Sequence, residues 1–366
     1  MEALYIIEPG SFLRKDGNTL KILRGDTVLD SIPATGLERL TLVGHVSLTG
    51  AVLDFLMKNR IETVFLTTTG RYRGRLVINE HHHVARRQAQ YARLGNRDFV
   101  LEAARILVRG KLENQVALLM RRARDHGISQ LREGVVRIRA AMQKLEDCSS
   151  TDAVRGVEGY GTRVYFEMFP FLIRSKEFPF KSRNRRPPRD PFNALLSFVY
   201  TLLTGEVQSA VSSVGLDPYL GSLHEVTHKR PSLVCDLVEE WRVLGDRLVL
   251  GLVNRQLVSP GDFVIRKDLL KRWKQKEGKQ KECAAGCDAA TDERESAPIP
   301  QGLRPVELKP EASRALLKSF ERQMQSSITV EDSTAQLRWL IHGQARNFAR
   351  FLEDPSRGYK PFRFNM

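Results

Sequence analysis

DFVLEAARILVRGKLENQVALLMRRARD, residues 98–125, settles how the chain divides. Val100, Leu101, Ala104, Leu107, Val108, Leu112, Val116, Leu119 and Met120 recur at helical spacing, with Arg and Lys between them. The chain before this stretch follows a different rule. Ala3–Ile7, Thr19–Leu23, Thr27–Ile32, Leu37–Leu42 and Thr63–Leu66 are short apolar runs. Turn signals at Pro9-Gly10, Asp16-Gly17, Arg24-Gly25 and Pro33 separate them, so they read as strands. Leu48, Val52, Phe55 and Leu56 mark one helix among them, and Gly70 and Gly74 punctuate a last strand through Leu76-Val77. After residue 125, helical patterns follow at Val135–Leu145, Ala194–Gln208, Leu233–Arg247, Glu311–Ser326 and Thr334–Leu352. The expected fold is α+β and multidomain: a β-rich domain over 1–79, a hinge at 80–88 and a larger all-α domain over 89–366. Residues 274–300 are charged and poor in apolar side chains, which reads as a disordered insertion.

The 366 residues suffice for more than one core, and 42% of them are hydrophobic. Lys and Arg outnumber Asp and Glu by 58 to 43, a net charge of +15 that points to a polyanionic partner. Charge alone does not choose among DNA, RNA and an anionic membrane. No apolar run approaches the ~20 residues of a spanning helix, and MEALYIIEPG lacks the pattern of a secretory leader. Four cysteines, Cys148, Cys235, Cys283 and Cys287, are too few for a disulfide framework in a chain this long. These features together suggest a soluble, intracellular protein.

Carboxylates and histidine cluster in two segments, RGVEGYGTRVYF (155–166) and GLDPYLGSLHEVTHKRPSLVCDLVEEWR (215–242). Leu233, Leu237, Trp241, Leu244 and Leu248 make an apolar stripe. Asp236, Glu239 and Glu240 lie a turn apart beside it, able to project together from a packed helix. With Glu158 from an earlier helix and His224 from the segment leading in, they could form an open site for a hard divalent cation. Spacing alone leaves the bland alternative open, in which Glu239 and Glu240 are a solvated helix face and His224 a hydrogen-bonding loop residue. His224-Glu225-Val226-Thr227-His228 also matches the zinc-peptidase pattern H-E-x-x-H. That chemistry needs both histidines on one face of a continuous helix, and Pro231 closes any helix too soon.

Taken in order, these segments resemble the CRISPR-associated integrase family Cas1. The likeness rests on Glu158-Gly159 before Tyr165-Phe166, on RRPPRDPFNALLS (185–197), on GLDPYLGSLH (215–224) and on SLVCDLVE (232–239). It implies a β domain joined to a helical catalytic domain. Glu158, His224 and Glu239 would be the catalytic residues and the ligands of Mn²⁺ or Mg²⁺, with Asp236 in support. The implied activity is metal-dependent joining of the 3′-hydroxyls of short DNA fragments into a CRISPR repeat, with associated DNA endonuclease activity. The implied partners are double-stranded DNA with 3′ overhangs, CRISPR repeat DNA, a second copy of the chain and a Cas2 dimer, in the prokaryotic cytoplasm. Tyr160, Gly161 and Thr162 depart from the small alanines common in the family. The rival from another class is a non-catalytic DNA-binding scaffold.

Arg183, Arg185, Arg186 and Arg189 surround the Pro187-Pro188 break, which argues for an exposed loop presenting them to phosphate, a solvated face being the alternative. His81, His82 and His83 are consecutive, so their side chains diverge and read as a hinge or exposed run rather than a metal site. Cys283 and Cys287 have no second pair at zinc-finger spacing and read as free thiols.

Overall fold

The computed structural model describes residues 3–8, 10–67, 72–76, 83–185, 188–225, 227, 230–265, 306–330 and 333–364. His81, His82, Arg186, Pro187, His228 and the stretch 274–300 with its two cysteines lie outside the described residues.

The N-terminal part carries two small sheets. In the first, ordered β1-β5-β7-β8, strands β1 (Ala3–Ile6), β5 (Arg39–Val43) and β7 (Glu62–Leu66) run parallel, and β8 (Tyr72–Arg75) pairs antiparallel with β7. The second is ordered β4-β3-β2-β6, from β2 (Phe12–Asp16), β3 (Thr19–Arg24), β4 (Thr27–Pro33) and β6 (Ser47–Leu48). Helix α1 (Gly50–Lys58) is the crossover, burying Val52 and Leu56 against Leu13, Leu20, Leu40 and Leu42. Strand β2 escaped the sequence reading because FLRKD buries only Leu13 and offers no apolar run. The strand punctuated by Gly74 ends at Arg75, just short of Leu76. Every residue of β5 is buried, as a parallel strand covered on both faces should be. One face belongs to the β-domain core, while Val43, with Val64 and Leu66 of β7, joins the helical core.

The helical part is built from α2 (Val84–Leu94), α3 (Arg97–His126), α4 (Gln130–Gln143), α5 (Thr151–Glu167), α6 (Phe169–Leu172), α7 (Pro191–Ser213), α8 (Ser232–Leu237), α9 (Arg242–Asn254), α10 (Pro310–Gln325) and α11 (Leu337–Glu353). Helix α2 already contains residues 84–88, so the expected hinge is helical over that part. The part is not purely α either: β9 (Phe263–Ile265) pairs with β10 (Val306–Leu308), and β11 (Ser327–Val330) with β12 (Ser333–Gln336). Helix α7 is long and apolar enough to cross a membrane, yet most of it is buried inside the protein. It is a core helix.

A buried ion network joins the two parts. Glu206 of α7 receives Arg39 of β5 at 2.6 Å and Arg338 of α11 at 3.2 Å, and Arg338 reaches Glu321 of α10 at 2.6 Å. Burial opposes ionisation of Glu206, but the two guanidiniums outweigh it and bring its pKa down to about 2.

Candidate active site

Four elements meet around one buried cation. Helix α3 supplies Lys111, on the inward face set by Leu107, Val108 and Leu112. Helix α5, capped by Ser150 accepting from the Ala153 N–H at 3.2 Å, supplies Glu158. Gly161 lets α5 approach α3 closely, since a Cβ there would stand 2.5 Å from Leu112 Cδ2. Thr162 donates to Glu158 Oε1 at 3.0 Å. Two of the three departures at 160–162 thus have a place here: Gly161 seats the helix and Thr162 orients Glu158.

The expected single helix over 233–247 is α8, a 3₁₀ turn over Val238–Trp241 and then α9. Across the turn the neighbouring carboxylates meet different partners. Glu239 Oε2 lies 2.6 Å from Lys111 Nζ and 2.8 Å from Arg242 Nε. Glu240 faces away, accepting from the Phe362 N–H at 2.9 Å, from Gln344 Nε2 at 3.2 Å and from the Tyr359 hydroxyl. The expectation that Asp236, Glu239 and Glu240 project together is therefore corrected: Glu240 anchors the C-terminal segment, and burial pushes its carboxyl up to about 7.

Asp236 is fully buried and organises the bend before it. Its Oδ2 accepts the N–H groups of Ser222 at 2.5 Å and Leu223 at 3.0 Å; Oδ1 accepts the His224 N–H at 3.0 Å and His224 Nδ1 at 2.7 Å. Residue 221 must be glycine for this fold of the chain, because a Cβ would sit 2.4 Å from Asp236 Oδ2. With Nδ1 donating to a carboxylate, the lone pair of His224 lies on Nε2. Arg155 ties the same bend to α5, donating to the Leu223 carbonyl at 3.1 Å and to Glu225 Oε1 at 2.9 Å. His224, Glu225 and Thr227 are not helical, so the zinc-peptidase platform is absent there, and Glu225 is committed to Arg155.

Lys111 Nζ also contacts Glu158 Oε1, so its ammonium bridges both carboxylates. The side chains of Lys111 and Glu239 are 3% and 5% exposed, those of Glu158 and His224 23% and 22%; the site opens on the Glu158–His224 side. Burial opposes ionisation of Glu239, but Arg242, Lys111 and His224 together hold its carboxyl well below the usual range. Glu158 is lowered too, burial and Glu239 opposing, Lys111 prevailing.

No three His, Cys, Asp or Glu side chains close to metal-binding distance among the described residues; the gap between the two carboxylates holds Lys111. The donor set nonetheless suits a hard divalent ion: two carboxylates and an imidazole oriented by a buried aspartate. A cation already lies between the carboxylates, so the local field favours positive charge.

The arginine loop behaves differently from the expectation. Arg183 is half-buried and turned inward. It donates to Asn193 Oδ1 at 2.7 Å and Ser197 Oγ at 3.1 Å and lies over the Tyr200 ring at 5.3 Å. Burial lowers its pKa to about 10, leaving it charged at neutral pH. Its two terminal nitrogens are engaged where α7 begins: Asp190 caps the helix, accepting from the Asn193 N–H at 2.8 Å. Arg185 is exposed and Arg189 half-buried.

Sequence reasoning missed Lys111 and Arg242. Both carried a signal: each is a charged residue at an inward position of a helical apolar pattern, four residues from Leu107 and from Val238 respectively.

The family described as CRISPR associated protein Cas1 matches residues 4–285. A CRISPR-associated endonuclease Cas1 of Thermus thermophilus is 38% identical over 263 residues, covering 71% of this chain and 76% of that protein. A CRISPR-associated exonuclease Cas4/endonuclease Cas1 fusion of Geobacter sulfurreducens is 30% identical over 369 residues, 98% of this chain and 60% of the fusion. Among solved structures, a Cas1 protein from Thermotoga maritima superposes with a TM-score of 0.74 at 23% identity over the whole of both chains. A casposase bound to an integration product gives 0.75 at 20% identity, covering 100% of this chain and 96% of that one. The strand-rich start, the helical remainder and the ordered motifs lead to one conclusion: the chain belongs to the Cas1 family.

Proposed function

We propose that this chain is a divalent-metal-dependent DNA integrase with associated endonuclease activity. The observation that carries the reading is the convergence of Glu158 and Glu239, from separate elements, on one cation beside an imidazole fixed by Asp236. Glu158, Glu239 and His224 Nε2 would hold Mn²⁺ or Mg²⁺, which supplies charge stabilisation to the phosphoryl and leaving oxygens. The reaction is a transesterification. A fragment's 3′-oxygen forms a new bond to a phosphorus at the edge of a repeat, and the bond from that phosphorus to the strand's own 3′-oxygen breaks. The proton of the attacking hydroxyl ends on the leaving oxygen, so neither water nor an oxidant is consumed.

Asp236 keeps His224 in one orientation, and Arg242 keeps Glu239 ionised. Arg185 is the exposed candidate for backbone phosphate, consistent with the net charge of +15. The substrates in this reading are double-stranded fragments with 3′ overhangs and CRISPR repeat DNA, in the prokaryotic cytoplasm. The assembly is a homodimer through the β domain, with a Cas2 dimer between two such pairs. A Cas6-RT-Cas1–Cas2 complex has a chain of this fold, at TM-score 0.75 and 21% identity over all of this chain and 36% of that one.

The test is joining of a labelled fragment into a repeat-bearing plasmid, with and without Mn²⁺ or Mg²⁺. Joining should require the metal and disappear in Glu158→Ala, His224→Ala and Glu239→Ala while DNA binding persists. Wild-type joining by His224→Ala in Mn²⁺ would remove the assignment.

A further inference from the structure

We propose that Lys111 is the resident counter-cation of the metal site, which a divalent ion must displace to bind. The inference rests on the metal-site reading above. Its ground is placement: the ammonium touches Glu158 Oε1 and lies 2.6 Å from Glu239 Oε2, on a side chain only 3% exposed. That point, between two carboxylates from separate elements, is where a metal bridging them would sit.

The site cannot keep both cations in the gap. Glu158, Glu239 and Asp236 carry three negative charges, and Lys111 and Arg242 carry two positive ones. Adding a divalent ion turns a buried cluster one charge short of neutral into one equally far on the positive side, with two cations crowding the same oxygens. One must leave, and Lys111 is the one free to do so. Arg242 is pinned between Glu239 and the Tyr200 ring, 4.7 Å from its guanidinium carbon. Lys111 holds on through a flexible four-carbon stem ending in a point charge. Its backbone stays put: Asn114, one turn on, donates to the carbonyls of Glu240 at 3.0 Å and Phe362 at 2.8 Å, and Leu112 packs on Gly161. Only the ammonium moves.

Without metal, the lysine spares two buried carboxylates each other's repulsion. The site is thus assembled before the ion arrives, at the expense of affinity. Removing the ammonium should reverse both effects.

The experiment is Mn²⁺ titration of the full chain, reading free Mn²⁺ by its electron paramagnetic resonance signal, together with thermal melting. Wild type, Lys111→Met, Lys111→Arg and Glu239→Gln are compared. Lys111→Met should bind Mn²⁺ about tenfold or more tighter than wild type. It should also melt lower without metal and gain more from Mn²⁺. Lys111→Arg keeps a cation in the gap and should bind no tighter than wild type. If Lys111→Met is unfolded without metal, Mn²⁺ must restore its melting transition. Equal or weaker binding by Lys111→Met, no rescue by Mn²⁺, or equal tightening by Lys111→Arg overturns the proposal. Wild-type binding insensitive to Glu239→Gln would instead sink the metal-site reading itself.

Discussion

Replacing Asp236 with Asn tests how the site is held. The two residues have the same shape, so the change acts on hydrogen bonding and charge alone. Each carboxylate oxygen accepts from two N–H groups: Ser222 and Leu223 on Oδ2, the backbone and Nδ1 of His224 on Oδ1. An amide has one accepting oxygen, so its nitrogen must face two donors whichever way it turns. Two of the four bonds are lost in a fully buried place. At ~1–3 kcal/mol for each buried group left unsatisfied, the variant should lose about 2–6 kcal/mol of stability. Function should suffer separately, because His224 loses the group that fixes its tautomer and ring orientation. Partners of this kind are worth about 10–100-fold in metal affinity or activity. The assays are thermal melting and joining across a Mn²⁺ series. The expected pattern is a lower melting temperature and a joining defect that excess Mn²⁺ partly recovers. Wild-type melting would refute the hydrogen-bond accounting, and a destabilised variant that joins normally at limiting Mn²⁺ would refute the orienting role.

The other predictions concern charges outside the proposed ligand set. Arg183→Ala should lower the melting temperature while leaving the salt dependence of DNA binding intact, because its donors serve Asn193 and Ser197. Arg185→Ala should do the reverse, making the slope of log K against log salt shallower by about 0.9; the two titrations side by side decide. Burial raises the Glu240 carboxyl from 4.5 to about 7, so between those values the folded chain keeps a proton that the unfolded chain has released. Stability should therefore fall as pH rises through that window, by about 3 kcal/mol in all, and Glu240→Gln should flatten the melting temperature measured in EDTA over it. Glu206→Gln leaves Arg39 and Arg338 buried without their shared carboxylate and should cost about 3–5 kcal/mol in denaturant unfolding. The depressed pKa of Glu206 makes its contribution present above 4.5 and lost as pH falls towards 2.

What the sequence made legible follows from locality. Long α3 announced itself because helical periodicity is written within a few consecutive turns. Glu158, His224, Asp236 and Glu239 could be named because they lie in short ordered motifs. Lys111 was passed over because a lysine in a helix is normally solvent-facing; its inward register was legible, but its two partners lie 47 and more positions away. Arg183 misled for the opposite reason: an arginine near a proline break suggests exposure, but Asn193 and Tyr200, a helix start and two turns beyond, capture it. Strand β2 was invisible because its partners, not its composition, make it a strand.

Glu239 and Glu240 diverge where the helix tightens between α8 and α9. Adjacent residues stand about 100° apart in an α-helix and about 120° apart in a 3₁₀ turn, so the pair leaves the element in different directions. Here the 3₁₀ turn over Val238–Trp241 gives each a separate buried destination. Glu239 meets two cations, and Glu240 meets donors from the C-terminal segment, where Trp241 also stacks on Phe362 at 4.7 Å. Asn114, three residues from Lys111, binds the Glu240 carbonyl and both sides of that segment, through the Phe362 carbonyl and the Phe364 N–H. The C-terminal residues therefore clamp the backbone carrying Glu239 to the helix carrying Lys111. The spacing between the cation and its carboxylate is set from behind, by contacts that never touch the site's open side.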